Sequence, residues 1–405
     1  MPRWTSRAPL LILFAALCLL VVGVAPVIAA PTTPSPPEPC ANRQKPPPPV
    51  DSSEVPAPGE PVPTPLPVPP TPIGGQRMGE CRVVLPSGAP RLPRKITAAS
   101  WVLSDVETGE VLAAKDPHGR QRPASLIKVL LALVVIDELA PAHIVTATKE
   151  DASQECTCIG IVKGERYTVE ELLTGVLIRS GNDVAHALGT ALGGIPAALA
   201  KMNGLAEKIG ALDTRAATTS GLDGPGMSTS AYDMSLIFSH ALRQPRFTKA
   251  VTTERMNFVT KKGKAPITLY NDNRLLREYS GFLGGKTGFT DDSRHTYVGA
   301  AERDGRRLAV VLLRAEQRPI RVSDQAARML DYGFRLAELG TEPVGELVAP
   351  AGQEVVGDAA EDNGTTGGNS GDSGGSGPAL ALVIAGAALI GIIALRRGGK
   401  RKPAE

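Results

Sequence analysis

The sequence predicts an α+β fold: one antiparallel sheet built from strands at both ends of the folded segment, flanked by helices, with a largely helical part between them. Three observations carry this. Ile96 to Ser104 (ITAASWVLS) and Gly109 to Ala114 (GEVLAA) are short β-like runs separated by Asp105 to Thr108, a hairpin pattern. The middle of the chain reads as a succession of helices, and the last third returns to strands at Thr296 to Ala301 and Arg307 to Leu313, around the turn Arg303-Asp304-Gly305. Strands, helices, strands and a last helix, Arg321 to Leu339, bring the end strands into one sheet.

Taken in order, Pro123 stands where a helix can begin, and the apolar run behind it reaches Leu139 before Pro141 stops it. Glu170 to Ile178 (EELLTGVLI) is a second helical segment. Arg179-Ser180-Gly181-Asn182 breaks it, and Asp183 to Leu192 resumes it. Met202 to Ile209 is helical in pattern, as is Ala231 to Leu242 behind the cap-like Ser228-Thr229-Ser230. Gly284-Gly285-Lys286-Thr287-Gly288 opens the final strands, and no internal repeat is present.

Composition divides the chain further. Residues 31 to 73 hold 18 of the 36 prolines, and residues 357 to 378 are mostly Gly, Ser, Asp, Asn and Thr. Segments of this kind bury too little apolar surface to offset their ordering entropy, so residues 30–90 are expected to be a linker and 349–378 a stalk. One folded domain is left, residues 91–348. The net charge of +3 and an aromatic content of 4% give no basic, aromatic-interleaved stripe for nucleic acid.

The ends point to export. Arg3 and Arg7 precede the apolar run Leu10 to Val24, and small residues follow up to Ala29 and Ala30, so residues 1–29 read as a signal peptide cut after Ala29. Residues 379–395 carry no charge and, at about 1.5 Å per residue, are just long enough to span a bilayer. The basic tail 396–405, with Arg396, Arg397, Lys400, Arg401 and Lys402, is expected to stay in the cytoplasm. A cell-membrane protein crossing once, with its folded domain on the extracytoplasmic side, satisfies both ends. Cysteine usage fits that compartment. Beyond Cys18 in the leader there are four, Cys40, Cys81, Cys156 and Cys158, enough for two disulfides in any of three pairings. Cys156-Thr157-Cys158 is spaced too closely for the usual zinc pair. A bridge from Cys40 or Cys81 to the Cys156 loop would staple the proline-rich arm to the domain.

The chemistry starts at Ser125 and Lys128, in the otherwise apolar stretch RPASLIKVLLALVVI. Three residues apart on a helix, the amine reaches the hydroxyl. A serine becomes a nucleophile when a base takes its proton, and a lysine is that base once burial and a helix N-terminus lower its pKa. Alone, Ser-x-x-Lys also fits a capped helix whose lysine snorkels to water. Two further motifs follow in order: Ser180-Gly181-Asn182, between helices, and Lys286-Thr287-Gly288, on a strand.

With Pro123 to Lys128 (PASLIK), Leu172 to Ala187 (LLTGVLIRSGNDVAHA), Ser220-Gly221-Leu222-Asp223, Ser228 to Met234 (STSAYDM) and Gly284 to Asp291 (GGKTGFTD), the sequence resembles the low-molecular-mass penicillin-binding proteins. These are the D-alanyl-D-alanine carboxypeptidases of the serine β-lactamase and penicillin-binding superfamily. The resemblance spans about residues 95 to 340. It implies the β-lactamase/transpeptidase-like fold, peptidoglycan stem peptides as substrate, covalent inhibition by β-lactams and no cofactor. It makes Ser125 the nucleophile, Lys128 its base, Ser180 a proton relay and Asn182 a holder of Lys128 and substrate amide. Lys286 and Thr287 would bind the substrate carboxylate. Gly288 would let the strand lie close, Phe289 and Ser125 would supply oxyanion N–H groups, and Arg321 would help with the carboxylate, with Arg314 and Arg318 nearby in sequence. Two positions depart from the family pattern. Ser220 stands where an Asn or His precedes Gly-Leu-Asp, and Ser293-Arg294-His295 replaces smaller residues.

The same residues bear on neighbouring activities. A class A β-lactamase needs a glutamate for its deacylating water, and Thr214 to Thr229 has none. A D,D-endopeptidase would carry the same motifs. A catalytically silent wall-binding protein would have little need for all three. The five histidines, His118, His143, His186, His240 and His295, show no His-Glu-x-x-His spacing and are expected to be surface or structural residues rather than metal ligands.

Overall fold

The computed structural model describes residues 40–348. The leader, the stalk, the apolar segment 379–395 and the basic tail lie outside them. In chain order the described residues begin with strands β1 (Val83–Val84), β2 (Ser100–Asp105) and β3 (Glu110–Lys115), and helix α1 (Ile127–Glu138). A small antiparallel pair, β4 (Ile144–Thr146) with β5 (Arg166–Thr168), encloses the short α2 (Lys149–Ala152). Then come α3 (Val169–Arg179), α4 (Asn182–Ala191), α5 (Ile195–Lys208), α6 (Ala231–Leu242) and α7 (Pro245–Val251). A hairpin of β6 (Arg255–Phe258) and β7 (Ile267–Tyr270) and the short α8 (Leu275–Glu278) lead into β8 (Phe282–Thr290), β9 (Arg294–Arg303), β10 (Arg306–Ala315), α9 (Val322–Glu338) and β11 (Gly345–Glu346).

The main sheet is antiparallel throughout, in the order β1-β3-β2-β10-β9-β8, with β11 also pairing β3. The expected α+β arrangement is therefore present, with strands from both ends of the domain meeting at β2 and β10. Strand β2 and most of β9 and β10 are buried on both faces, because each face of the sheet is covered. One face packs on α9 through Trp101, Leu103, Val310, Ala326, Met329 and Leu330. The other packs on the helical part through α6, and α1 lies at the centre of that part with its residues from Ile127 to Val135 all buried. A helix apolar on every side is stable only inside other helices, and α1 accordingly touches α3, α4, α5, α6 and α7.

Several boundaries differ from the sequence reading for identifiable local reasons. Ala124–Leu126 is a 3-10 turn and α1 begins only at Ile127, because Ala124 sits at φ 47°, where a helix cannot run. Helix α5 starts seven residues before Met202, opened by Gly194 and a proline in its first turn. Helix α3 is started by a capping box between Thr168 and Glu171, and α6 is capped by Ser230, whose hydroxyl accepts from the Asp233 N–H at 3.1 Å.

The proline-rich stretch requires the largest correction. From Cys40 onward it is not a free linker but is lashed to the domain, and two of its few buried side chains, Met78 and Val84, join the core. Prolines cannot donate from their backbone, yet their carbonyls and those of their neighbours accept. Buried arginines supply the donors. Arg120 reaches the carbonyls of Gln44, Leu66 and Pro67 at 2.6 to 2.8 Å, and Arg122 reaches that of Pro47 at 2.8 Å and the Glu54 carboxylate. His118, also buried, joins Asp213 at 2.7 Å and the Ile73 carbonyl at 3.0 Å. The arm thus borrows the domain's interior instead of building its own. Its disulfide, Cys40–Cys81, closes the arm on itself, and the second is Cys156–Cys158, so neither bridge is the arm-to-loop staple that the sequence suggested.

Candidate active site

The three motifs converge on one cleft of about 420 Å³, whose walls include Ser125, Ser180, Thr287, Gly288, Phe289 and Arg321. Its size suits a small peptide. The nucleophile turn is held from three sides. Thr296 Oγ1, on β9, donates to the Pro123 carbonyl at 2.9 Å. Gly221, at φ 84°, packs so tightly under the turn that a Cβ there would lie 2.9 Å from the Ser125 nitrogen and closer still to the Ala124 carbonyl. On β8, a Cβ at Gly288 would also come within 2.9 Å of the Ser125 nitrogen. Both glycines are therefore required by close approach, and the positive φ of Ala124 is held by this packing. Strand β8 is the last of the sheet, and its unpaired edge runs beside the turn.

Lys128, in the first turn of α1, is completely buried. Its Nζ lies 2.8 Å from Ser125 Oγ and 2.9 Å from Asn182 Oδ1, and also contacts the Ser220 carbonyl. Burial chiefly, and then the nearby Lys286 ammonium, push its pKa well below the usual lysine range, with Asp272 and Asp183 opposing. A neutral amine has two N–H donors and one lone pair. Two of the three neighbours, Asn182 Oδ1 and the Ser220 carbonyl, can only accept, so both hydrogens are engaged and the lone pair is left for the Ser125 hydroxyl. At position 220, where the sequence departs from the family pattern, the contact to Lys128 comes from the backbone carbonyl, which any residue supplies.

Ser180 is the left-handed C-cap of α3, at φ 63°, and its buried Oγ makes no hydrogen bond among the described residues. Asn182 opens α4. Its Nδ2 donates to the Glu155 carbonyl and its backbone N–H to the Thr157 carbonyl, both at 2.7 Å. Lys286, also completely buried, has its pKa lowered by burial, and its Nζ donates to its neighbour's carbonyl, Thr287 O, at 2.8 Å. Phe289 is about half exposed at the rim, with the His295 ring 4.5 Å away and the Arg294 guanidinium 5.8 Å away. Arg321, the N-cap residue of α9, lines the same cleft as Thr287, while Arg314 and Arg318 are not among the residues lining it.

Sequence reasoning missed several contributors. Asp183 is buried and gathers the backbone N–H groups of Ile159, Gly160 and Ile161 at 2.7 to 3.1 Å, tying the disulfide loop beneath the second motif. Asp272, Asn273 and Arg274 form another wall, with Arg274 paired to Glu278. Asp183 follows the motif directly, but an acid in the first turn of a helix is ordinary, and only the fold shows it to be buried. The 272–274 wall carries no local signal. Two acid-rich clusters, His118 with Asp213 and Asp233, and Glu54 with Asp223 and Asp292, lie outside the cleft lining and serve the arm's attachment.

A hydroxyl, a depressed lysine, a serine–asparagine pair and a lysine-bearing strand edge together suit acyl transfer to serine. Comparison with known proteins agrees. The family model described as D-alanyl-D-alanine carboxypeptidase matches residues 87–317. The D-alanyl-D-alanine carboxypeptidase DacB2 of Mycobacterium tuberculosis is 42% identical over 258 residues, covering 62% of this chain and 87% of that one. DacF of Bacillus subtilis is 30% identical, and there the match spans 62% of the relative's length. A crystal structure of a D-alanyl-D-alanine carboxypeptidase from M. tuberculosis H37Rv superposes with a TM-score of 0.61 at 39% identity, over 66% of this chain and 99% of that one. The chain belongs to the D-alanyl-D-alanine carboxypeptidase family of serine peptidases.

Proposed function

We propose that the chain removes the terminal D-alanine from peptidoglycan stem pentapeptides through an acyl-enzyme on Ser125, and that penicillins trap the same serine. The observation that carries this is the enclosed Lys128, whose donors are taken by Asn182 and Ser220 while Ser125 faces its remaining position. Ser125 Oγ attacks the carbonyl of the penultimate D-alanine, and its proton passes to Lys128. The backbone N–H groups of Ser125 and Phe289 receive the oxyanion, each such donor contributing about 3 kcal/mol in other hydrolases. Collapse breaks the peptide bond, and the departing amine takes a proton through Ser180. Water then hydrolyses the ester and frees Ser125. Lys286, Thr287 and Arg321 meet the terminal carboxylate, which restricts the enzyme to free C-termini.

Labelled penicillin is expected to attach to Ser125, located by peptide mapping, and to leave a folded Ser125→Ala chain unlabelled. Labelling elsewhere, or full labelling of that variant, would overturn the assignment. Purified muropeptides should lose a single alanine, whereas conversion of dimers to monomers would make the enzyme a D,D-endopeptidase.

The ends of the chain support a membrane-tethered enzyme on the cell-wall side, exported by residues 1–29 and anchored by 379–395 with 396–405 in the cytoplasm. No helix among the described residues is long and apolar enough to cross a membrane. Membrane fractionation tests the tether: the full chain should pellet with membranes, and a chain ended at Val348 should not.

A further inference from the structure

The Cys156–Cys158 disulfide stands one step from the catalytic groups. It joins residues two apart, so it closes a small ring around Thr157, whose side is part of the cleft wall. Glu155, immediately before the ring, supplies the carbonyl that accepts from Asn182 Nδ2, and Thr157, inside it, supplies the carbonyl that accepts from the Asn182 N–H. Just beyond the ring, Ile159, Gly160 and Ile161 are pinned to Asp183. The loop therefore grips the two residues that begin α4, and the ring restricts the backbone at the point of grip.

The side-chain amide of Asn182 has an accepting end and a donating end, and the partners on either side decide which way it faces. With the Glu155 carbonyl on one side, Nδ2 must turn there, and Oδ1 is left facing Lys128 at 2.9 Å. The opposite orientation would present N–H groups to Lys128. These would compete with the Ser125 hydroxyl for the amine's lone pair and would set a donor against the ammonium. The direction of this amide thus determines whether Lys128 can act as a base toward Ser125.

We propose that the Cys156–Cys158 ring is a positioning element for the acylation step: by fixing the Glu155 and Thr157 carbonyls it keeps Asn182 turned with Oδ1 toward Lys128. This rests on the reading of Ser125 as nucleophile and Lys128 as base. The disulfide is thereby given a role in proton transfer, distinct from that of Cys40–Cys81, which closes the arm and is not part of the cleft lining.

The test measures the rate of acylation by a labelled penicillin against concentration and pH in the full chain. It compares the wild type, Cys156→Ser/Cys158→Ser, and Cys40→Ser/Cys81→Ser as a control for loss of a disulfide. Opening the ring should lower the saturating acylation rate by up to about 100-fold, the scale of a small misplacement at a reacting centre, with little change in the half-saturating concentration. The acid limb of the rate profile should also move to lower pH, since an ammonium deprived of the Asn182 acceptor gives up its proton more readily. The Cys40/Cys81 control should keep both rate and limb. In an Asn182→Asp background, where a carboxylate accepts whichever way it turns, opening the ring should cost little further. A folded ring-opened variant with the wild-type rate and limb would overturn the proposal. So would a rate loss with an unmoved limb that recurs in full in the Asn182→Asp background, which would make the ring a support for the loop alone. Should the serine pair fail to fold, dithiothreitol reduction of folded Cys40→Ser/Cys81→Ser chain opens the same ring and is read by the same criteria. If the wild type itself is not labelled at Ser125, the functional reading fails and the ring is not at issue.

Discussion

Lys128 shows how a residue that looks misplaced becomes intelligible from its neighbours. A lone buried ammonium is costly, so burial, helped by the nearby Lys286 ammonium, holds the Lys128 pKa well below the usual lysine range. Acylation is therefore expected to rise with pH through the lowered pKa of Lys128, because only the neutral amine accepts the Ser125 proton. Stopped-flow measurement of penicillin binding across pH checks this. A Lys128→Met chain should acylate roughly 10²- to 10⁴-fold more slowly, the range for removal of a positioned base, and should lose that pH limb. Ser125, Lys128, Ser180, Asn182 and Lys286 could all be picked out in the sequence, because acyl transfer needs those residue types and three ordered motifs hold them. Asp272 and Arg274 could not, since nothing around them in sequence announces a cleft wall.

At the scale of elements, the α1 core and the strands β2, β9 and β10 were readable because continuous apolar runs bounded by turn residues leave few options. Their edges were not. The 3-10 turn at Ala124–Leu126 exists because β8, β9 and the Gly221 loop press on it, and a local pattern does not contain that pressure. The arm was misjudged for a related reason. Its composition excludes a core of its own, but Arg120, Arg122 and His118, buried in the domain, offer it donors. Arg120 also pairs with Asp213 at 3.1 Å. Replacing it by methionine leaves three carbonyls and a buried carboxylate short of a partner, and should destabilise the folded chain by about 3–5 kcal/mol. Urea unfolding measures that loss, and limited proteolysis should cut between residues 44 and 73 sooner than in the wild type. An Arg120→Met chain as stable and as resistant as the wild type would show the clamp to be incidental.

For the whole molecule, β11 closes the domain over β3, and its Glu346 carbonyl accepts from Tyr232 Oη at 2.7 Å, while Val348 N–H donates back to that oxygen at 3.0 Å. A chain ended at Val348 should keep the penicillin acylation rate of the full chain. One ended at Thr341 loses β11 and strands the buried tyrosine, and should melt several degrees lower, as scanning calorimetry would register. Equal melting temperatures would remove any structural role for β11.

Fold class, the order of the motifs and the chemistry they imply could be read along the chain, because apolar periodicity and residue type are local properties. Long-range packing sets what local pattern leaves open: that Ser125 leaves the helix, that the cysteines pair as 40–81 and 156–158, that the proline arm is clamped, and that Asn182 faces Lys128. Each of these depends on which distant groups come within hydrogen-bonding or van der Waals distance, and only the folded chain sets those distances.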